Sequence, residues 1–86
     1  MTISTSIPVA VGASGTFDAA SQEAQVLCPA DTPYVWSASP IVFESTDGNA
    51  YLLSETRIYD EAGRWVGVSF TAPEAGSWWV TLDCQS

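Results

Sequence analysis

Short apolar alternations, each closed by turn residues, run the length of this 86-residue chain. An extended backbone points successive side chains to opposite faces, so alternation of this kind marks strands with one face in a core. Ile3, Thr5, Ile7, Val9 and Val11 alternate with Ser4, Ser6, Pro8 and Ala10. Pro8 has no N–H to give a ladder, which makes this stretch an edge strand or a free arm. Gly12 to Gly15 are expected to turn the chain, and a short element starts at Phe17. Further short elements are predicted over 25–28, 34–37 and 41–44, with a helical turn over 16–24 as the lesser alternative. Residues 29–33 and 45–49 have the Pro, Asp, Asn and Gly content of loops.

The C-terminal third carries the most specific pattern. Asp60-Glu61-Ala62-Gly63 has Asp first and Gly fourth, the arrangement of a type I turn closed by a glycine bulge. That turn pairs Tyr59 with Trp65, Ile58 with Val66 and Arg57 with Gly67. A second connection, APEAG over 72–76, sets Phe70 opposite Trp78, Val68 opposite Val80 and Val66 opposite Leu82 if it closes a hairpin. Every one of those residues is apolar, so the register is self-consistent. The expectation is an all-β fold, a small antiparallel β-sandwich with an extended N-terminal arm and a C-terminal three-stranded meander. Residues 1–14 form the arm or edge strand, and 15–86 a single sandwich domain.

The adjacent tryptophans follow from the same periodicity. Trp78, Val80, Leu82 and Cys84 share a core face, while Trp79, Thr81 and Asp83 share the other. In the meander, the outer rows read Tyr59–Trp65–Asp83, Arg57–Gly67–Thr81 and Glu55–Ser69–Trp79. Gly67 then leaves a gap, with Arg57 aimed across it between Trp65 and Trp79. Three readings compete for this patch: an intramolecular cation–π stack, a docking surface for another chain, and a pair of indoles flanking a sugar ring. Arg57, Tyr59, Trp65 and Trp79 are its candidate interaction residues, with Ile3, Ile7 and Val9 of the arm.

Charge narrows the partners. Ten Asp and Glu face only Arg57 and Arg64, without Lys or His, for a net charge of −8. Nucleic acid and anionic membranes are held by clustered basic residues, so neither is an expected partner. Without His or Lys, Ser-His-Asp, Cys-His and Ser-Lys arrangements cannot be built. A glycosidase-type carboxylate pair needs a cleft that a chain this short hardly forms. The expectation is therefore no enzymatic activity and no cofactor. Asp47 and Asn49 belong to a turn and lack the further oxygen ligands of a calcium loop. Cys28 and Cys84 are too few for a zinc site. They are read as a disulfide supplementing a small core, against the alternative of two buried free thiols.

FTAPEAGSWWVTL, residues 70–82, resembles the closing strands of extracellular-type β-sandwich modules, where a Pro–Gly turn precedes an aromatic strand. That pattern implies the fold and no chemistry. MTISTSIPVAVGA has neither the basic start nor the unbroken apolar run of a signal peptide, and no stretch approaches a membrane span. A chain kept in the cytosol yet bearing a disulfide-like cysteine pair fits a protein assembled in a host cell and later released. Absence of Lys and a single Asn fit a GC-rich coding sequence. In these respects the chain is similar to the small decoration and tail-accessory proteins of tailed bacteriophages. The resemblance implies a structural virion component that binds a capsid or tail protein lattice, as an oligomer of identical copies, adding its arm to a sheet edge. The alternative is an extracellular carbohydrate-binding module.

Overall fold

The structure, a computed structural model, describes residues 7–86. Eight strands follow one another: β1 (Val9–Phe17), β2 (Glu23–Leu27), β3 (Tyr34–Ala38), β4 (Ile41–Ser45), β5 (Ala50–Leu53), β6 (Thr56–Tyr59), β7 (Trp65–Thr71) and β8 (Gly76–Gln85). They form two antiparallel sheets, five-stranded and three-stranded, and no helix occurs among the described residues. The all-β sandwich expected from the alternation is present.

β8 organises the larger sheet. β1 lies along all of it but Gln85, from Val9 opposite Cys84 to Phe17 opposite Gly76. On its other side, β4 takes the first half, with Phe43 opposite Trp78, and β3 takes the second, with Val35 opposite Cys84. Ser39 bridges those two partners: its N–H donates to the Thr81 carbonyl at 2.8 Å, and its Oγ accepts the Thr81 N–H at 2.9 Å. Pro40 follows, where a ladder donor can be spared. β5 completes the sheet on β4. The smaller sheet has the order β2–β7–β6.

The core fills the space between the sheets. Phe17, Val35, Ile41, Phe43, Trp78, Val80, Leu82 and Cys84 enter it from the larger sheet, and Val26, Val68 and Phe70 from the smaller. Trp78 meets Phe70 edge-on, with ring centroids 4.9 Å apart. Edge-to-face contact sets the positive rim of one ring against the negative face of the other. Trp78 also lies flat enough over β1 that a Cβ at Gly15 would come within 2.8 Å of its indole. Cys28, just after β2, is bonded to Cys84 across the two sheets, with the Cα atoms 5.8 Å apart. The disulfide expected from the cysteine pair is thus formed, and it fastens sheet to sheet.

Three expectations are corrected. Gly12 to Gly15 do not turn the chain; they lie inside β1, which runs unbroken to Phe17. The three-stranded meander is not formed: β7 pairs with β2 and β6, whereas β8 pairs with β1, β3 and β4. The Ala72–Gly76 segment crosses between the sheets, so Phe70 and Trp78 face each other through the core instead of lying side by side. The Ala72 N–H donates to the Gln22 carbonyl at 2.7 Å and the Ser21 N–H to the Ala72 carbonyl at 2.8 Å, which holds this crossing to the smaller sheet's rim. The third correction concerns register. Tyr59 does pair with Trp65, but Val66 bulges, placing Ile58 opposite Gly67 and Arg57 opposite Val68.

Candidate interaction surfaces

The β6–β7 hairpin gathers both cations of the chain. Its turn closes as the Asp-x-x-Gly spacing requires: the Gly63 N–H donates to the Asp60 carbonyl at 3.0 Å, and the Asp60 N–H to the Arg64 carbonyl at 2.9 Å. Gly63 has φ +80°, a conformation that side chains disfavour. One Asp60 carboxylate oxygen accepts the Ala62 and Arg64 N–H groups, each at 2.9 Å, and the other accepts Arg64 Nε at 3.1 Å. These contacts hold the carboxyl below the ordinary aspartate range. The Arg64 amide acts most strongly, followed, against an opposing effect of desolvation, by the Arg64 charge and the Ala62 amide.

Each guanidinium also lies on a ring. Arg57 sits 4.0 Å from the Trp65 ring centre and Arg64 sits 4.3 Å from that of Tyr34. Trp65 packs against the core, and its indole N–H donates to the Gly67 carbonyl at 2.8 Å. Tyr59, opposite Trp65, remains exposed. Gly67 does not leave an open gap: Leu27 lies over it, and a Cβ there would overlap both that side chain and the Val26 carbonyl. Of the three readings of the patch, the intramolecular stack describes Arg57 on Trp65.

Trp79 is elsewhere. It stands on the outer face of the larger sheet, opposite Ser14 on β1 and Val42 on β4. Trp65 belongs to the smaller sheet, so the two indoles do not flank a common site. The rows joining Trp79 to Ser69 and Glu55, and Asp83 to Trp65, are likewise not formed; Asp83 accepts the Ser37 hydroxyl at 2.6 Å. The failure has one cause. Those rows required β7 and β8 to be neighbours in one sheet.

The true neighbours of Trp79 make a different surface. Residues directly opposite share a face, so the row continues Ser14–Trp79–Val42–Leu52 across β1, β8, β4 and β5. Trp79 is 42% exposed and Leu52 61%. The next row, Thr16–Ser77–Glu44–Ala50, brings a carboxylate to one flank; on the other side Gly12–Thr81 comes first, with Asp83 in the row beyond. At the sheet margin, Tyr51 donates its hydroxyl to Glu74 at 2.8 Å. Partial desolvation of the phenol, then that hydrogen bond and the Glu74 charge, raise its pKa above the usual tyrosine value.

Ile7 and Val9 are exposed, Val9 at the start of β1 and Ile7 just before it; Ile3 lies outside the described residues. Leu52, Val42 and Trp36 were not among the sequence-predicted candidates. Apolar residues on both faces of 41–43 and 50–53 carry the signal for Val42 and Leu52, but only the β4–β5 and β4–β8 registers align them with Trp79. Trp36 is 61% exposed because β3 shifts register between Val35 and Ser37, a bulge with no sequence mark. These surfaces are open faces and edges; no pocket and no metal-ligating cluster occurs among the described residues. Comparison with protein-family models, curated proteins and solved structures found no match to this chain.

Proposed function

We propose that this protein is a non-enzymatic structural virion component, a decoration or tail-accessory protein that attaches to a capsid or tail protein lattice. The outer face of the larger sheet is its contact. The observation that carries this reading is the row Trp79–Val42–Leu52, an apolar strip on a sheet face that alternation otherwise makes polar. A rigid indole beside aliphatic side chains is a typical interface anchor. Glu44 in the next row and Asp83 two rows away, within a net charge of −8, favour a partner surface with a basic rim. Many copies on one lattice make modest single contacts sufficient.

The test is co-sedimentation with particles purified from the source virion. Trp79→Ala combined with Leu52→Ser should lower retention about tenfold or more, equivalent to the loss of one anchor, while far-UV circular dichroism stays unchanged. Retention equal to that of the unaltered protein refutes the assignment. The second reading, an extracellular carbohydrate-binding module, draws on one observation: Trp36 and Trp79 are both exposed indoles on strands flanking or forming β8. Binding to immobilised glycans that is lost in Trp36→Ala, with no retention on the lattice, favours that reading instead.

A further inference from the structure

The free sheet edges of this molecule are unequal. β5 and β6 have four residues each, and β6 carries Arg57. β2 has five and begins with Glu23; β3 has five and is bulged at Trp36. Shortness, charge and bulges are the devices that keep exposed ladders from pairing with foreign strands. β1 has none of them. It has nine residues, runs in unbroken register along β8, and contains no proline and no charged side chain. Indeed no ionisable side chain occurs from residue 2 to residue 17. Among the described residues, nothing pairs with its other edge.

We propose that β1 of one copy pairs antiparallel with β1 of a second copy, about a two-fold axis near Ala13. Two five-stranded sheets then become one continuous sheet. The occupant is a second copy because the strand is complementary to itself. In the two-fold register, Val9 meets Phe17, Val11 meets Gly15 and Ala13 meets Ala13 on the core side. On the outer side, Ala10 meets Thr16 and Gly12 meets Ser14. Apolar rows meet apolar rows and small residues meet small ones along roughly 30 Å of strand. A two-fold contact must repeat the same patch on both partners, and this one does.

Charge and burial point to the same edge. Copies carrying −8 repel one another, so a contact between them is cheapest along the one long stretch free of ionisable side chains. The core-side row of β1 also becomes more exposed toward its start: Phe17 is 5% exposed, Val11 and Ala13 are half-buried and Val9 is 52% exposed, with Ile7, just before the strand, at 82%. In the two-fold register the partner's Phe17 meets Val9, so the neighbouring strand brings apolar side chains to the exposed end of this row. With the axis perpendicular to the sheet, both Trp79 rows lie on one side of the dimer. The pairing does not depend on what those rows bind.

Sedimentation of the full, oxidised chain from low to high micromolar concentration tests this. The expected result is a monomer–dimer equilibrium that tightens as salt is added, because salt screens the repulsion between like-charged copies. In Gly12→Glu the new Cβ meets nothing within 4 Å, so the monomer accommodates it. Across the axis, however, it brings two extra carboxylates together, and the dissociation constant should rise about tenfold or more. Ser14→Glu, at an exposed position, should do the same, whereas Trp79→Ala should leave the dimer intact. Amide exchange in β1 should slow as concentration rises. A monomer at every concentration overturns the proposal, as does a dimer that both glutamate variants leave unchanged.

Discussion

Replacing each of the adjacent tryptophans by alanine separates the two faces of β8 energetically. Trp78 is 9% exposed, touches Phe70 edge-on at 4.9 Å and lies 6.4 Å from Phe17. Truncating a core aromatic of this kind costs about 3–5 kcal/mol, because transfer energy and aromatic contacts are lost and a cavity remains. A domain of 86 residues has a total stability of roughly 4–13 kcal/mol. Trp78→Ala therefore removes about a quarter of that stability or more, and in the lower part of the range it unfolds the protein. Trp79 is 42% exposed and contacts Ser14 and Val42 across the ladder. Two cross-strand pairs at about 0.2–1 kcal/mol each, with the lower strand propensity of alanine, make its loss worth about 1–2 kcal/mol. The measurement is urea unfolding of the oxidised variants followed by far-UV circular dichroism. A difference of about 2 kcal/mol with a slope near 1 kcal/mol/M separates the midpoints by about 2 M. Midpoints within roughly 0.5 M of each other refute the assignment of one tryptophan to the core and the other to the surface.

Two further outcomes follow from the covalent and ionic contacts. The non-reduced protein should weigh two hydrogens less than the reduced one, and converting Cys28 and Cys84 together to serine should cost about 4 kcal/mol, since the bond closes a loop with a separation of 56 residues; two alkylatable thiols in the native, non-reduced protein contradict it. The Asp60 carboxyl titrates below its unfolded value, so its contribution is complete above the unfolded pKa and is lost as pH falls through the folded one. A carbon-13 titration should show that depressed midpoint, with the Ala62 and Arg64 amides shifting alongside; an ordinary aspartate midpoint refutes the turn geometry.

What could be read along the chain was whatever depends on near neighbours. The Asp60–Gly63 turn and the Tyr59–Trp65 pair follow from a carboxylate and a glycine three positions apart, a constraint that closes within a few residues. The division between Trp78 and Trp79 follows from the two-residue period of extended backbone. The Cys28–Cys84 bond, across a separation of 56 residues, was legible only as a match between two lone cysteines and a small core.

Sheet membership was not legible, and the reason is geometric. Phe70 and Trp78, Val68 and Val80, Val66 and Leu82 are apolar in every pair, and an apolar pair is equally content side by side in one sheet or face to face between two. Local pattern is blind to that choice. It is made by β1, which occupies one side of β8 with nine residues, and by β3 and β4, which share the other side through Ser39. Once β8 is paired on both sides, β7 has no ladder left to join, and the Ala72–Gly76 segment must pass from one sheet to the other. Sequence alone therefore determined the all-β class, the inward and outward faces of β8, the tight turn and the acidic character of the chain, because each depends on local periodicity or on composition; it did not determine the course of β1, where Gly12 to Gly15 read as a turn. Only the tertiary structure decided which outward residues meet: Trp79 with Val42 and Leu52 rather than with Trp65 and Arg57, since residues far apart in the chain become neighbours only through the pairing order of the strands.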